Sequence, residues 1–281
     1  MSPTIGVFDS GFGGLTVLRE LLRIIPGAHY VYLGDTARLP YGSKSRETVV
    51  RYALSSARFL EEHGAELLVT ACNTATALAL EDLQEALPIP VIGVVDPGTR
   101  AATRACGDAG NGERPGVLVL ATQATVDSHA YARSCEAAGL LATEKACPLL
   151  VPLIEEGWGS EGSREEMCEV TSQVLRIYLR EALESTSNAR AVLLGCTHYP
   201  LLRSAIEQTL SELGHPIPVI DSAQATAEAV AEALAARNLV RDDVHDRCEF
   251  FATDSVAKFA RLGTRFLGSP VENVQLIDLG G

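Results

Sequence analysis

Two short apolar runs that each end on a cysteine constrain the fold of this chain most strongly. Residues 68–71 lead into Cys72, and residues 192–195 lead into Cys196. The residues after each cysteine are types that cap helices, and an Ala- and Leu-rich helical pattern follows. Strands that run directly into helices are typical of open parallel α/β sheets, which bind ligands at the carboxyl ends of their strands. The sequence therefore predicts an α/β fold with a thiol on each of two strand-to-helix turns.

The position of these thiols indicates chemistry as well as fold. A helix N-terminus favours thiolate over thiol, so we expect it to lower a cysteine pKa from about 8.5 towards neutrality. Two activated thiols that face one ligand suggest proton transfer on both sides of that ligand.

The second half of the chain repeats the predicted order of the first half. The tetrapeptide Ile-Pro-Val-Ile begins at Ile89, 17 residues after Cys72, and again at Ile217, 21 residues after Cys196. This repetition indicates an internal duplication with a pseudo-two-fold active site. Strands are predicted at residues 5–8, 29–33, before Cys72 and at 89–95, then at 116–120, 142–146, before Cys196 and at 217–221. A loop is predicted around residues 152–157, and a long helix from about residue 164 to residue 183. A closing strand–helix–strand unit is predicted after residue 249. On composition alone, the region 107–115, which is rich in glycine and polar residues, is the best candidate for a domain boundary.

The length of the chain bounds the number of domains, and its net charge argues against some classes of binding partner. A chain of 281 residues predicts one large or two medium domains. The net charge of −13 disfavours a general attraction to nucleic acid or to an anionic membrane. An anionic substrate would need local attraction from helix N-termini and hydroxyl groups. The chain has seven cysteines without regular spacing and no signal peptide, which predicts reduced thiols in the cytoplasm. It has no long apolar run, so no membrane segment is expected.

Several competing interpretations can be weighed on the residues alone. Cys72 and Cys196 share a place in the repeat, whereas the remaining cysteines are expected to be structural: Cys106, Cys135, Cys147, Cys168 and Cys248. Cys196, His198 and Cys72 could ligate a metal, but no Cys-x-x-Cys pair is present, so no metal site is expected. His198 as a plain capping or core histidine stays an alternative.

The glycine loop of residues 11–14 matches no phosphate-binding pattern. Asp9, just before this loop, is placed to hydrogen-bond to an ammonium group or to a neighbouring acid–base residue. A role of Asp9 in forming a turn only is an equal alternative. Pyridoxal phosphate needs a lysine, and only Lys44 adjoins a candidate motif, so we expect a reaction without a cofactor.

Five motifs in one order carry a resemblance that covers nearly the whole chain. They are Asp9-Ser10-Gly11, Gly34-Asp35-Thr36-Ala37-Arg38, Pro40-Tyr41-Gly42, Ala71-Cys72-Asn73-Thr74 and Gly195-Cys196-Thr197-His198-Tyr199-Pro200. In these motifs the chain closely resembles the glutamate racemases of bacterial cell-wall synthesis.

The resemblance implies a cofactor-independent racemase with two pseudo-symmetric α/β domains that face each other across the substrate. It moves the expected boundaries to residues 1–97 plus 210–281 for the first domain and 98–209 for the second. Cys72 and Cys196 match the two acid–base cysteines, with Asp9 assisting Cys72, and His198 and Glu155 assisting Cys196. Substrate-binding positions are matched by Asp9, Ser10, Tyr41, Gly42, Asn73, Thr74, Thr122, Thr125, Thr197 and His198. Ala121 stands where glycine is more often expected, which leaves the chemistry untouched.

The expected activity is the interconversion of L- and D-glutamate by a homodimeric enzyme that supplies D-glutamate for peptidoglycan. A racemase of the same superfamily that acts on aspartate or a hydantoin is the closest alternative. Some racemases of this family are associated with inhibition of DNA gyrase, so a partner-binding role is the alternative from another class.

Overall fold

The computed structural model describes residues 3–107, 113–159, 168–186, 188–237 and 247–280. The chain divides into two units. The first comprises Met1–Val94 and Ala223–Gly281, and the second comprises Val95–Ser222. Among the described residues, no helix combines the length and the apolar character that crossing a membrane requires.

Each strand of the described chain except the last is followed by at least one helix. The first stretch contains β1 (Thr4–Asp9), α1 (Leu15–Ile24), β2 (His29–Gly34), a 3₁₀ turn (Tyr41–Ser43), α2 (Arg46–Glu62), β3 (Leu67–Thr70), α3 (Asn73–Ala86) and β4 (Val91–Gly93). The second unit contains α4 (Val95–Cys106), β5 (Gly116–Ala121), α5 (Gln123–Ser128), α6 (Ala130–Ala137), β6 (Leu141–Ala146), α7 (Leu150–Glu155), α8 (Glu169–Glu184), β7 (Ala189–Gly195), a 3₁₀ turn (Tyr199–Leu202), α9 (Arg203–Glu212) and β8 (Val219–Asp221). The first unit is completed by α10 (Ala223–Ala236), β9 (Arg247–Ala252), α11 (Val256–Leu267) and β10 (Gln275–Leu276). Two helices stand between β5 and β6 and between β6 and β7.

The first unit is built on a six-stranded sheet in the order β10-β9-β2-β1-β3-β4. Its strand pairs are parallel, and the central strands β1 and β3 are apolar and buried almost throughout, as expected for a sheet covered by helices on both faces. Asp9 pairs with Gly34 and Phe8 with Thr70, so the ends of β1, β2 and β3 lie at one edge of the sheet. The motif residues that follow these three strands are thereby brought to the same edge.

The second unit is built on a four-stranded parallel sheet in the order β6-β5-β7-β8. This order repeats β2-β1-β3-β4 of the first unit strand for strand. Cys196 follows β7, and Cys72 follows β3, which is the equivalent strand. The predicted α/β class and the repeated strand order are thus confirmed.

Several predicted elements differ from those observed. The predicted loop around residues 152–157 contains α7, because Pro152 lies in the first turn of a helix, where its missing N–H is not needed. The predicted strand at 89–95 is reduced to β4, since Pro90 lacks a backbone N–H and contributes only its carbonyl, which accepts from Leu68 N at 2.9 Å. The predicted start of α8 near residue 164 lies outside the described residues, and α8 begins at Glu169.

The predicted domain boundaries near 97/98 and 209/210 stay predictions. Along the chain, the two observed units change at Val94/Val95 and at Ser222/Ala223. The later position of the second change has a structural reason, because β8 pairs with β7 and so belongs to the four-stranded sheet. The compositional candidate at 107–115 lies within the second unit, and its residues 108–112 are outside the described part.

Candidate active site

Asp9 is the last residue of β1 and has no exposed surface. Its carboxylate accepts a hydrogen bond from Gly11 N at 2.9 Å. A Cβ atom on Gly14 would lie 2.6 Å from Asp9 Cβ, 2.9 Å from Ala71 Cβ and 2.9 Å from the Tyr32 hydroxyl oxygen. The glycine loop therefore allows the chain that enters α1 to pack directly against the buried Asp9.

Cys72 lies between β3 and α3, where its sulfur caps the helix. Its backbone is extended, and Ala75 N donates to the sulfur at 3.4 Å. The thiol in turn donates to Ser10 Oγ at 3.6 Å. The predicted neighbours Asp9, Ser10 and Cys72 thus come together at the carboxyl edge of the six-stranded sheet.

The pKa of the Cys72 thiol is raised to about 11, first by burial and second by the negative charge of Asp9. Hydrogen bonds from Ala75 N and from Ser10 act in the opposite direction, but they are smaller effects. The expectation that the helix N-terminus lowers this pKa towards neutrality is therefore wrong for Cys72. The helix N–H does stabilise the thiolate, but desolvation and a like charge outweigh it.

The other predicted residues of the first unit lie beside Cys72. Asn73 and Thr74 are the first two residues of α3, and both are buried. Tyr41 is buried in the same apolar cluster as Cys72, and its hydroxyl donates to Asp35. Gly42 follows in the 3₁₀ turn and is half-buried.

The predicted threonines of the second unit form the start of α5. Thr122 caps this helix, and its hydroxyl oxygen accepts from Thr125 N at 3.4 Å. The two hydroxyl oxygens are 3.0 Å apart, and Thr125 is fully buried. Both residues follow β5, which neighbours the strand that carries Cys196.

Cys196, Thr197 and His198 follow the end of β7, and each is 7% exposed. The chain continues into a 3₁₀ turn before α9 rather than directly into an α-helix, and Pro200 lies at the start of that turn. A Cβ on Gly195 would lie 3.0 Å from Ala121 Cβ and 3.0 Å from the Tyr131 ring. Glycine at this position lets β7 end close against β5.

His198 and Glu155, the two residues expected to assist Cys196, form a hydrogen-bonded pair. His198 Nε2 and Glu155 Oε1 are 3.2 Å apart, and their side chains are 8% and 13% exposed. Because a carboxylate only accepts, the histidine nitrogen is the donor in this hydrogen bond. Glu155 reaches this position as the last residue of α7, the helix that the sequence did not predict.

Two tyrosines at the site were not among the predicted residues. Tyr32 is fully buried, and its pKa is raised well above the ordinary value by burial, then by the charges of Asp9 and Cys72. Tyr199 donates to the carbonyl oxygens of Ala121 at 3.3 Å and Cys147 at 2.9 Å. The signals in the sequence that could have found them are positions relative to the motifs: Tyr199 lies within the fifth motif, and Tyr32 lies two residues before the second.

The alternative metal site has no ligand set in the described part of the chain. No three His, Cys, Asp or Glu side chains among those residues come together as metal ligands would.

Comparison with known proteins gives one consistent result. A family model described as Asp/Glu/Hydantoin racemase matches residues 5–230. A glutamate racemase of Koribacter versatilis is 47% identical over 302 aligned positions, covering 99% of this chain and 98% of the relative. The crystal structure of glutamate racemase from Thermus thermophilus in complex with β-chloro-D-alanine has a TM-score of 0.82 and 42% identity, covering 99% of this chain and 97% of that one. The glutamate racemase of Francisella tularensis in complex with D-glutamate has a TM-score of 0.86 and 32% identity, covering 99% and 98%.

Proposed function

Because the chain belongs to the Asp/Glu/hydantoin racemase family and, within it, to the glutamate racemases, we propose that it interconverts L- and D-glutamate by proton transfer between two cysteines. The observation that carries this proposal is the position of Cys72 and Cys196. Both follow the equivalent strand of a parallel sheet, both are nearly buried, and both have their own acid–base neighbours.

The reaction needs one base and one acid. The thiolate of one cysteine takes the proton from the α-carbon, and the C–H electron pair stays on that carbon as a carbanion. The thiol of the other cysteine then delivers its proton to the opposite face of the same carbon. Inversion is complete, and the two cysteines have exchanged protonation states. The reverse reaction restores these states, and so does the exchange of protons with water before the next turnover in the same direction. No cofactor takes part in these steps.

We propose that Cys72 acts as a proton donor in one direction of the reaction and, with the help of Asp9, as the base in the other. At neutral pH the raised pKa keeps Cys72 in the thiol form, so it can donate a proton directly. To act as the base it must first lose that proton, and the neighbouring Asp9 carboxylate is the acceptor that we propose. His198, hydrogen-bonded to Glu155, serves Cys196 in the same way.

Substrate carboxylates are bound locally, because the net charge of −13 repels an anion at long range. Hydroxyl groups and backbone N–H groups at helix N-termini provide that local attraction. The residues proposed to bind substrate are Asp9, Ser10, Tyr41, Gly42, Asn73, Thr74, Thr122, Thr125, Thr197 and His198.

The proposed biological role is the supply of D-glutamate for peptidoglycan, and hence for cell-wall biogenesis and cell shape, by a homodimer in the cytoplasm. All seven cysteines are free thiols, which fits a reducing compartment.

The first test follows both the optical signal and the α-proton of the substrate. Purified enzyme, free of metal and pyridoxal phosphate, is mixed with L-glutamate in deuterated buffer, and circular dichroism and proton NMR are recorded. We expect the optical signal to decay to zero while deuterium enters the α-position. Cys106→Ala is the matched control for cysteine substitutions and should retain activity. Decay of the signal without deuterium incorporation would overturn the proton-transfer mechanism.

The alternatives are tested on the same preparation. A racemase specific for aspartate or a hydantoin would turn over those compounds and leave glutamate unchanged, since one methylene is enough to misplace the α-carbon between the reacting groups. Inhibition of DNA supercoiling by added protein, with no turnover of any of the three substrates, would favour the gyrase-binding role.

A further inference from the structure

Asp35 is a buried carboxylate near the proposed site that has no part in the proton transfer described above. It follows β2 directly and has no exposed surface. Arg38 Nε donates to its two oxygens at 2.7 and 2.9 Å. The Tyr41 hydroxyl also donates to Asp35, and Thr253 Oγ1 donates at 3.0 Å. Three side chains thus converge on one carboxylate.

The segment after β9 fastens the loop that contains Asp35. Ala37 N donates to Thr253 Oγ1 at 2.9 Å. The Thr36 hydroxyl donates to Asp254 O at 2.6 Å and accepts from Asp254 N at 2.8 Å. The loop is therefore held by residues that lie more than two hundred positions away in the sequence.

Stability alone is a poor reason for such a network. A buried ion pair costs much of its attraction in desolvation, and apolar side chains of similar volume often stabilise a fold equally well. What this network does provide is a fixed geometry, because three side chains on different parts of the chain donate to the same carboxylate. The Arg38 guanidinium is also held over the Tyr52 ring, 4.4 Å from its centroid.

Among the side chains that this network holds, Tyr41 is the one that belongs to the proposed substrate site. It begins the 3₁₀ turn that carries Gly42, and Lys44 N closes the turn on Tyr41 O at 3.0 Å. Tyr41 also packs in the apolar cluster that contains Cys72. An error in the position of Tyr41 would therefore shift the turn relative to the thiol.

We propose that Asp35 is a positioning residue: by holding the Tyr41 hydroxyl, it fixes the turn that presents Tyr41 and Gly42 to the substrate, and Thr253 holds Asp35 in place. This inference rests on the proposed racemase function. It gives the segment after β9, which contributes none of the proposed site residues, an indirect part in substrate binding.

The test compares Asp35→Asn, Tyr41→Phe and the double variant. We expect Asp35→Asn to raise KM for glutamate roughly tenfold in both directions, with a much smaller change in kcat, because a displaced turn weakens binding before it alters proton transfer. If Asp35 acts through the Tyr41 hydroxyl, the double variant should have the KM of the more affected single variant. Asp278→Asn is the matched control, since it removes the same charge from an exposed position of the same unit outside the network around Asp35, and it should keep the KM of the wild type.

Thr253→Val keeps the inference testable if Asp35→Asn does not fold. It removes one donor to the carboxylate and the acceptor of Ala37 N, and it leaves Asp35 paired with Arg38 and Tyr41, so we expect a smaller rise in KM without loss of the folded state. A folded Asp35→Asn with unchanged KM, additive effects in the double variant, or an unchanged KM in Thr253→Val would each overturn the positioning role while leaving the racemase function intact. A wild-type protein that does not turn over glutamate would instead overturn the proposed function.

Discussion

Replacing Asp9 with asparagine should make the Cys72 thiol more reactive and the enzyme slower. The substitution keeps the shape of the side chain and its ability to accept from Gly11 N, but it removes the negative charge. That charge is the second largest cause of the raised Cys72 pKa, after burial. A more acidic thiol alone would favour proton abstraction. Measuring both the alkylation rate of Cys72 and the rate of racemisation therefore separates the effect on the thiol from the effect on catalysis.

The size of the effect follows from the pKa. With a pKa of about 11, roughly one Cys72 side chain in a thousand is a thiolate at pH 8. Removing a neighbouring like charge lowers the pKa by about one unit, while burial keeps it above the ordinary value. The thiolate fraction at pH 8 should therefore rise roughly tenfold. The rate of alkylation should rise roughly threefold, because a less basic thiolate is also a weaker nucleophile.

Alkylation by iodoacetamide, followed by mass spectrometry of the Cys72 peptide, measures this rate. Cys135 is the internal control, since burial also raises its pKa to about 11 but Asp9 is not among the causes. An unchanged Cys72 rate in Asp9→Asn, in protein whose Cys72 reacts fully after unfolding, would refute the electrostatic argument. Faster racemisation in the same variant would refute the role of Asp9 as proton acceptor.

Three further predictions concern the thiols and the packing around them. Cys72→Ala and Cys196→Ala should each abolish racemisation in the deuterium assay, because inversion needs an acid and a base; activity in either variant would contradict the two-thiol mechanism. Gly14→Ala should cost about 1–3 kcal/mol of unfolding free energy in urea, because its Cβ would lie 2.6 Å from that of Asp9, whereas a Cβ on Gly11 would make only an ordinary contact at 3.5 Å. Burial raises the pKa of Cys147 to about 12, so its contribution to stability is complete below the unfolded value of ~8.5 and is lost as pH rises through about 12. Cys147→Ala should therefore flatten the alkaline decline in stability, and an equally steep decline would contradict this assignment.

The sequence predicted those features that local patterns determine. Apolar runs that end on Cys72 and Cys196 set the strands, and the repeated order of strands set the equivalent positions of the two thiols. The register of parallel strands brings the residues that follow them to one edge, and Asp9, Ser10 and Cys72, which the family resemblance had linked to one site, lie together there.

Features that depend on distant contacts could not be predicted in this way. Asp35 and Thr253 are 218 residues apart, and no pattern in either segment marks them as partners. The direction of the Cys72 pKa shift was missed for a similar reason. The helix N-terminus is a local feature that favours the thiolate, whereas burial and the charge of Asp9 come from the packing of other elements.

The duplication of strand order does not extend to the surroundings of the thiols. Cys72 caps an α-helix beside the Asp9 carboxylate, whereas Cys196 precedes a 3₁₀ turn, and His198 just before that turn pairs with Glu155 of α7. Since two enantiomers have equal free energies in water, kcat/KM must be equal in both directions for any variant. Unequal assistance can therefore appear only in kcat and KM separately. Asp9→Asn should lower kcat mainly for one direction of the reaction, L to D or D to L, and His198→Asn mainly for the other. Each variant should show a larger isotope effect with α-deuterated substrate in the direction that it slows. Equal losses of kcat in both directions would mean that the two neighbours are not specific to one thiol.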